Sequence, residues 1–290
     1  MFVRIAPGNV EDLKKAWIFP LSAFFIVAAG VFFGFLVFRC MRLNSPERKA
    51  SVALAGFGNS GFIPLSMVEF FPLTLPVISE IFGITTPLLF VGAYLVVQSS
   101  LLWSVGNYLI VGKETNIRVR DLITRPFIGI CIAFLFVLFV PRSFFTDTAL
   151  PFAHIYSALD KLSNLVLPLA LISLGAMIGN LNLRKINMRE ALKIAGGVSA
   201  VRFLLIPACF FGLYFTVLRR MNLTGAQLWV LFIESHVPPA LNLSVMVNNA
   251  GVNRDQTAFT MLFTYLLYIV VFPFFVVLFF SLPGIDIGGL

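Results

Sequence analysis

Apolar positions run along this chain in stretches longer than a soluble helix or strand requires. Eight stretches, at 17–38, 51–71, 86–111, 126–140, 162–181, 191–218, 226–247 and 257–282, are separated by short polar connections. About 20 apolar residues at a helical rise of about 1.5 Å cross the hydrocarbon core of a bilayer, so each stretch reads as one transmembrane helix. The fourth is short, and Leu122 and Ile123 extend it. Alternation toward a polar face is weak in most of them, as expected of helices that meet both lipid and one another. No short strands with the two-residue alternation of a membrane β-barrel are visible. The pattern predicts an all-α integral membrane protein of about eight transmembrane helices, one membrane domain over 1–290.

Composition narrows the class. Only 12% of the 290 residues are charged and 59% are hydrophobic, with a mean hydropathy of +0.96. Soluble chains carry about 25% charged residues, so a water-soluble domain, a disordered chain and a secreted disulfide scaffold are excluded. Cys40, Cys131 and Cys209 lie in or beside apolar runs without CxxC spacing, imply no disulfide, and read as small buried apolar residues.

The net charge of +8 would suggest nucleic acid in a soluble protein. Here it resolves by loops. One side of the membrane collects Arg39, Arg42, Arg48, Lys49, Lys113, Arg118, Arg120, Arg125, Arg184, Lys185, Arg189, Lys193 and Arg254, against Arg4, Lys14, Lys15, Arg142, Lys161, Arg219 and Arg220 on the other. The positive-inside rule then places both termini on the non-cytoplasmic side, and no nucleic-acid partner is expected. Residues 1–10 are too short and polar for a signal peptide, and residues 9–15 read as a hairpin loop between helices. The chain therefore reads as beginning inside a larger architecture.

Two spans differ from the rest. The second contains Gly56-Phe-Gly-Asn-Ser-Gly-Phe-Ile-Pro64 and the seventh Glu234-Ser-His-Val-Pro-Pro-Ala-Leu-Asn242. Proline removes an amide donor and clashes with the preceding turn, and lipid cannot satisfy the backbone groups so freed. Such breaks survive where protein or a water-filled cavity shelters them. One alone is most simply a kink packed by its neighbours; a pair points to the binding site of an inverted-repeat transporter. Half-helix ends present amide donors and carbonyl acceptors to an ion or an anion, and Asn59 and Asn242 add directional polar groups beside them.

These residues carry a family resemblance. Gly58-Asn-Ser-Gly-Phe-Ile-Pro-Leu65 resembles the fourth-helix motif of the auxin efflux carrier family. Val237-Pro-Pro-Ala-Leu-Asn242, followed by Ala250-Gly-Val-Asn-Arg-Asp-Gln-Thr-Ala258, is similar to its ninth-helix motif and the loop after it. Leu167-Pro-Leu-Ala-Leu-Ile-Ser-Leu-Gly175 and Arg125-Pro-Phe-Ile-Gly129 resemble the seventh helix and the start of the sixth. The resemblance implies ten helices in two inverted repeats with helices four and nine crossing at their breaks. On that register helices one and two are absent here, 1–111 is the remainder of the first repeat, 112–125 a short cytoplasmic connection and 126–290 the second repeat. It also implies a secondary efflux carrier of small organic anions such as carboxylates, in a cell membrane and most simply a bacterial inner membrane.

The expected substrate-binding residues are Asn59, Ser60, Gly61, Pro64, Pro238, Pro239 and Asn242, the prolines setting the breaks and the asparagines touching substrate. Glu234 and His236 are candidates for H+ or Na+ coupling, unless they lie at the outer end of the span in contact with water or headgroups. Arg202 reads as snorkelling to the interface or as a counter-charge to an organic anion, and Glu69 as a solvated end residue. Gly30 and Gly34, like Gly175 and Gly179, have the spacing of close helix packing; Ser173 could line a pathway, and the 33 phenylalanines read as lipid-facing bulk.

Catalysis is not expected. No HExxH, GxSxG, P-loop or GxGxxG occurs, His154 and His236 are the only histidines, and every Asp lies outside the apolar runs. No metal and no cofactor is expected; the partners are the lipid bilayer, an anion, H+ or Na+, and a second copy in a homodimer. Two other readings stay open, a non-transporting receptor-like or regulatory remnant of the fold and a sodium-coupled symporter of the bile-acid type.

Overall fold

Polar caps set where the helices begin. Asn9 accepts from the Asp12 amide at 2.7 Å and starts α2 (Val10–Lys15), after the short α1 (Phe2–Ile5). Glu11 and Asp12 lie in its first turn and Lys14 and Lys15 in its last, matching the helix dipole. The expected hairpin loop at 9–15 is therefore a capped helical turn leading into α3 (Ile18–Arg39). Asn44 caps α4 (Ser45–Gly56), and Thr124, with Pro126 in the first turn, caps α9 (Arg125–Phe139). A reciprocal Thr224–Gln227 capping box opens α14 (Gly225–Ser235).

A computed structural model of the chain describes residues 2–41, 43–74, 76–83, 85–112, 123–165, 186–251 and 254–285, and singly 168, 169, 172, 175, 176 and 179. Between the helices already given run α5 (Phe62–Thr74), α6 (Pro76–Phe82) and α7 (Thr85–Leu101), which continues through a π-helical turn at Leu102–Gly106 into α8 (Asn107–Val111). After α9 come α10 (Ser143–Thr146), α11 (Pro151–Ser163) and α12 (Met188–Ala200), the last continued by a second π-helical turn at Val201–Leu205 into α13 (Ile206–Thr216). The chain ends in α14, α15 (Leu241–Ala250) and α16 (Arg254–Phe280).

Among the described residues, four continuous stretches are long and apolar enough to cross a bilayer: Val10–Arg39, Thr85–Val111, Met188–Arg220 and Arg254–Phe280. They coincide with the first, third, sixth and eighth apolar runs. The second and seventh runs are each two half-helices, α4 with α5 and α14 with α15. Most of the fifth, 162–181, lies outside the described residues, as do Ser173, most of the Leu167–Gly175 motif and most of the 112–125 connection.

Packing brings α3 against α4 through glycine. A Cβ built on Gly30 would meet the Ala55 carbonyl oxygen and the Gly56 Cα at 3.0 Å, and one on Gly34 would meet the Ala55 Cβ at 3.1 Å. Gly30 and Gly34 thus let two backbones touch, the role their spacing predicts. Around Gly175 and Gly179 nothing among the described residues comes within 4 Å of such an atom. The phenylalanines divide between two roles. Phe24, Phe25, Phe32 and Phe274 are exposed as lipid-facing bulk, while Phe82, Phe279 and Phe280 stack around the buried Trp229.

Two departures at the polar ends have simple causes. Glu69 is not a free solvated end; its carboxylate pairs with Arg4 at 2.8 Å, and Arg4 also reaches Asp160 at 3.1 Å and Asn164. Cys40 is exposed and Cys131 and Cys209 are half-buried, all three as free thiols, because the apolar runs around them face lipid rather than a core.

Replacing Gly30 by Val should force α3 off α4 and lower stability by about 1–3 kcal/mol. Thermal unfolding in detergent measures it, with Gly212→Val, at a site open beyond 4 Å among the described residues, shifting the midpoint less.

Candidate functional site

The two broken spans cross at their breaks and pair backbone to backbone. Residues 57–61 separate α4 from α5, and residues 236–240 separate α14 from α15. Gly58 and Pro239 form an antiparallel bridge: the Asn59 amide donates to the Pro238 carbonyl at 2.8 Å, and the Ala240 amide donates to the Phe57 carbonyl at 2.9 Å. Three more carbonyls are freed here, and each finds a side-chain donor. Gln98 Nε2 reaches Gly58 O at 3.0 Å, Arg202 Nε reaches Val237 O at 3.1 Å, and the Tyr265 hydroxyl reaches Pro239 O at 3.1 Å. The five carbonyls of 57, 58, 237, 238 and 239 are all satisfied, as a bilayer interior demands.

Each donor arrives by a specific element. Gln98 lies on α7 and Tyr265 on α16, while Arg202 lies on the second π-helical turn. The guanidinium sits against Gly58, where a Cβ would overlap its Nη2. Glycine is required there because the cation occupies the space of a side chain. The other π-helical turn also meets the crossing: Gly106 packs on the Phe57 ring at 3.3 Å from its built Cβ. Such turns recur at functional sites, where they re-aim side chains out of helical register.

Four ionisable or hydroxyl-bearing side chains gather on one flank. Arg202 is 1% exposed and Glu234 0% exposed, with Ser60 and Tyr94 as their buried polar neighbours. Arg202 Nη1 lacks a hydrogen-bond partner among the described residues, and the Glu234 carboxylate has the Ser60 hydroxyl beside it without a hydrogen bond of good geometry. His236 is also fully buried, its Nδ1 at 2.7 Å from the Phe232 carbonyl and 2.9 Å from Ser235 Oγ, inside a ring cluster of Phe210, Phe211, Phe232 and Phe275. Glu234 and His236 are therefore not outer-end residues in contact with water. Nor does Arg202 snorkel, because its Nε is committed to the Val237 carbonyl inside the crossing.

A model of the membrane transport protein family matches residues 1–121 and 114–276. The chain belongs to that family, the family of the auxin efflux carriers. Comparison with curated proteins and with solved structures gave no match. This member of the membrane transport protein family is an all-α, multi-pass membrane transporter, and the crossing is its most polar buried feature among the described residues.

Of the expected site residues, Asn59, Ser60, Gly61, Pro238 and Pro239 lie within the two breaks themselves, and Asn242 in the first turn of α15. Asn59 is buried and engaged at both ends, donating to the Tyr265 hydroxyl at 2.6 Å and accepting from the Phe62 amide at 3.3 Å. It caps α5 and ties it to α16. Asn242 is half-buried, and among the described residues its side chain has no hydrogen-bond partner. Pro64 lies in the first turn of α5, beyond the break, where its missing amide leaves no ladder bond unmade. Gly61 faces open space, with only Leu95 Cδ2 at 4.0 Å from its built Cβ.

Two side chains that hold the breaks, Gln98 and Tyr265, are not among the expected site residues. Gln98 and Tyr265 carry no local signal, each being one polar residue in a long apolar run. Gln98→Leu would leave the Gly58 carbonyl unpaired, and Tyr265→Phe would orphan the Pro239 carbonyl. Each should cost about 1–3 kcal/mol, read as a lowered unfolding midpoint of the purified transporter in detergent.

Proposed function

We propose that the chain is a secondary carrier, most simply an efflux carrier, of small organic anions such as carboxylates, working by alternating access at the crossed breaks. The observation that carries this reading is the pairing of two broken spans around a buried guanidinium. A cation placed without a hydrogen-bonded carboxylate partner suits an anionic solute. The α15 N-terminus supports it: Ala240 provides no side-chain cap, and Asn242 stands in the first turn without a side-chain partner among the described residues. Asn242, Ser60 and Gly61 are the proposed contacts, with Asn59, Pro238 and Pro239 shaping the break that presents them.

The wider arrangement follows the same reading. One broken span falls in 1–111 and the other in 126–290, which is the distribution that two inverted repeats would have. The loop charges favour non-cytoplasmic termini in a cell membrane, and a homodimer is the expected assembly. The sequence holds no nucleotide cradle, so energy comes from an ion gradient or from the solute's own gradient, with Glu234 and His236 as the groups for H+ or Na+.

Reconstituted into liposomes, the protein should move radiolabelled lactate, succinate or malate down an imposed gradient. Asn242→Ala should lower that flux by about tenfold, the loss of one directed hydrogen bond to a charged group. Pro238→Ala with Pro239→Ala, which restores two amides and lets α14 run on, should abolish it. Equal flux in all variants would overturn the site. Removing sodium and, separately, collapsing the proton gradient identifies the coupling ion.

A further inference from the structure

Arg202 and Glu234 are both buried at the crossing and form no ion pair with each other. Arg202 Nη1 is fully enclosed and without a hydrogen-bond partner among the described residues, the enclosed Glu234 carboxylate has the Ser60 hydroxyl beside it, and the ion pairs among those residues are both made by Arg4. Arg202 and Glu234 are nevertheless in electrostatic reach of each other. The groups around them are Ser60 from the first break, Tyr94 from α7, Tyr265 and Tyr268 from α16, and His236 in its phenylalanine cluster at the end of α14. Glu234 is the one carboxylate among them. A brace would spend its donors on the break; Arg202 spends Nε there and keeps Nη1 free.

We propose that Arg202 Nη1 receives the carboxylate of the transported anion, and that Glu234 takes up one proton as the anion arrives, so that anion and proton cross together without net charge. The inference rests on the carrier reading above and deepens it. Its warrant is charge balance in a low-dielectric interior. A guanidinium and a carboxylate together carry no net charge, and a monocarboxylate entering their midst leaves one uncompensated negative charge, which a buried site does not tolerate. Two carboxylates sharing one cation at close quarters do not both stay ionised. A single proton on Glu234 restores neutrality: the anion replaces the carboxylate as partner of Arg202, and the neutral carboxyl gains a hydroxyl that donates to a neighbouring oxygen. On release both depart, the proton to water and the anion to solution.

Proteoliposomes enclosing a fluorescent pH indicator, given an inward gradient of lactate, test this. The wild-type protein should acidify the lumen in step with lactate entry, about one proton per anion, and the flux should not respond to an imposed membrane potential. Glu234→Gln, which fixes the neutral form, should lose the proton flux that accompanies lactate, and the net lactate flux that it retains should become sensitive to potential. Arg202→Gln should lower both by more than about tenfold, since truncating one member of a buried charge pair has effects of that size. Arg202→Lys, which keeps the charge and loses the fork, should recover the proton-to-anion ratio at a reduced rate. Each variant is compared as flux per unit of monodisperse reconstituted protein, so a folding defect shows in the elution profile and not in the ratio. Proton flux unchanged in Glu234→Gln, or lost in His236→Gln while Glu234→Gln retains it, would overturn the assignment. So would a proton-to-lactate ratio near zero in the wild type. No flux of lactate, succinate or malate in the wild type would instead overturn the carrier reading itself.

Discussion

A peptide group inside a bilayer must find its hydrogen-bond partner within the protein, because lipid supplies none and each unpaired group costs several kcal/mol. Two interrupted helices face this constraint together where they cross, and the neighbouring elements are arranged around their solution. Two of the five freed carbonyls are answered by the opposite break, through Asn59 N–H and Ala240 N–H. The other three are answered by α7, α16 and the π-helical turn that carries Arg202. The close approach of α3 through Gly30 and Gly34 then matters for function as well as packing, since it fixes α4 where its end can meet α14's.

The same accounting separates polar groups that are used up from those that remain available. Asn59, Gln98 and Tyr265 have their hydrogen bonds committed to the breaks. Arg202 donates from Nε to the break while its Nη1 has no partner among the described residues, and the Glu234 carboxylate has the Ser60 hydroxyl beside it. Polarity also follows helix direction. The C-terminal ends of α4 and α14 carry partial negative charge, and the guanidinium lies beside both, next to Gly58 and Val237. The positive N-terminal ends belong to α5 and α15. The first is capped by Asn59 and the second has no side-chain cap, so α15 presents the less satisfied end.

Much of this was legible in the chain because lipid simplifies the code. Apolar run lengths located the spans, and Gly, Pro and Asn clustered at mid-span marked the two breaks, since those residue types have few other reasons to be there. Arg202 was visible as an anomaly, but its direction was not: whether a long side chain climbs to the interface or turns inward depends on a π-helical turn that no local pattern announces. Gln98 and Tyr265 were illegible for a related reason, because their value lies in which distant carbonyl they meet. Glu69 reads as an end residue until Arg4, 65 positions earlier, is folded beside it. Pro64 shows the converse error. Proline signals a helix boundary without saying on which side of it the residue falls.

The distribution of interactions also says where a carrier of this design can yield. The crossing, α7, α16 and the Arg202 turn are joined by buried hydrogen bonds whose donors have no water to fall back on, so separating them one from another is expensive. The far end of α5 is tied outward differently. Glu69 meets Arg4 and, through it, Asp160 in a network whose side chains stay about a quarter to a third exposed. Exposed ion pairs are worth roughly 0–1 kcal/mol and re-form readily with water or another partner. The contacts of Glu69 with Arg4 and Asp160 are therefore the more readily exchanged ones, while the apolar packing of α1 on α7, where Ile5 fills the space beside Gly92, and the crossing itself are not. An anion held by Arg202 would travel with the backbone bridge that holds Arg202, and the site would keep its shape while its surroundings change.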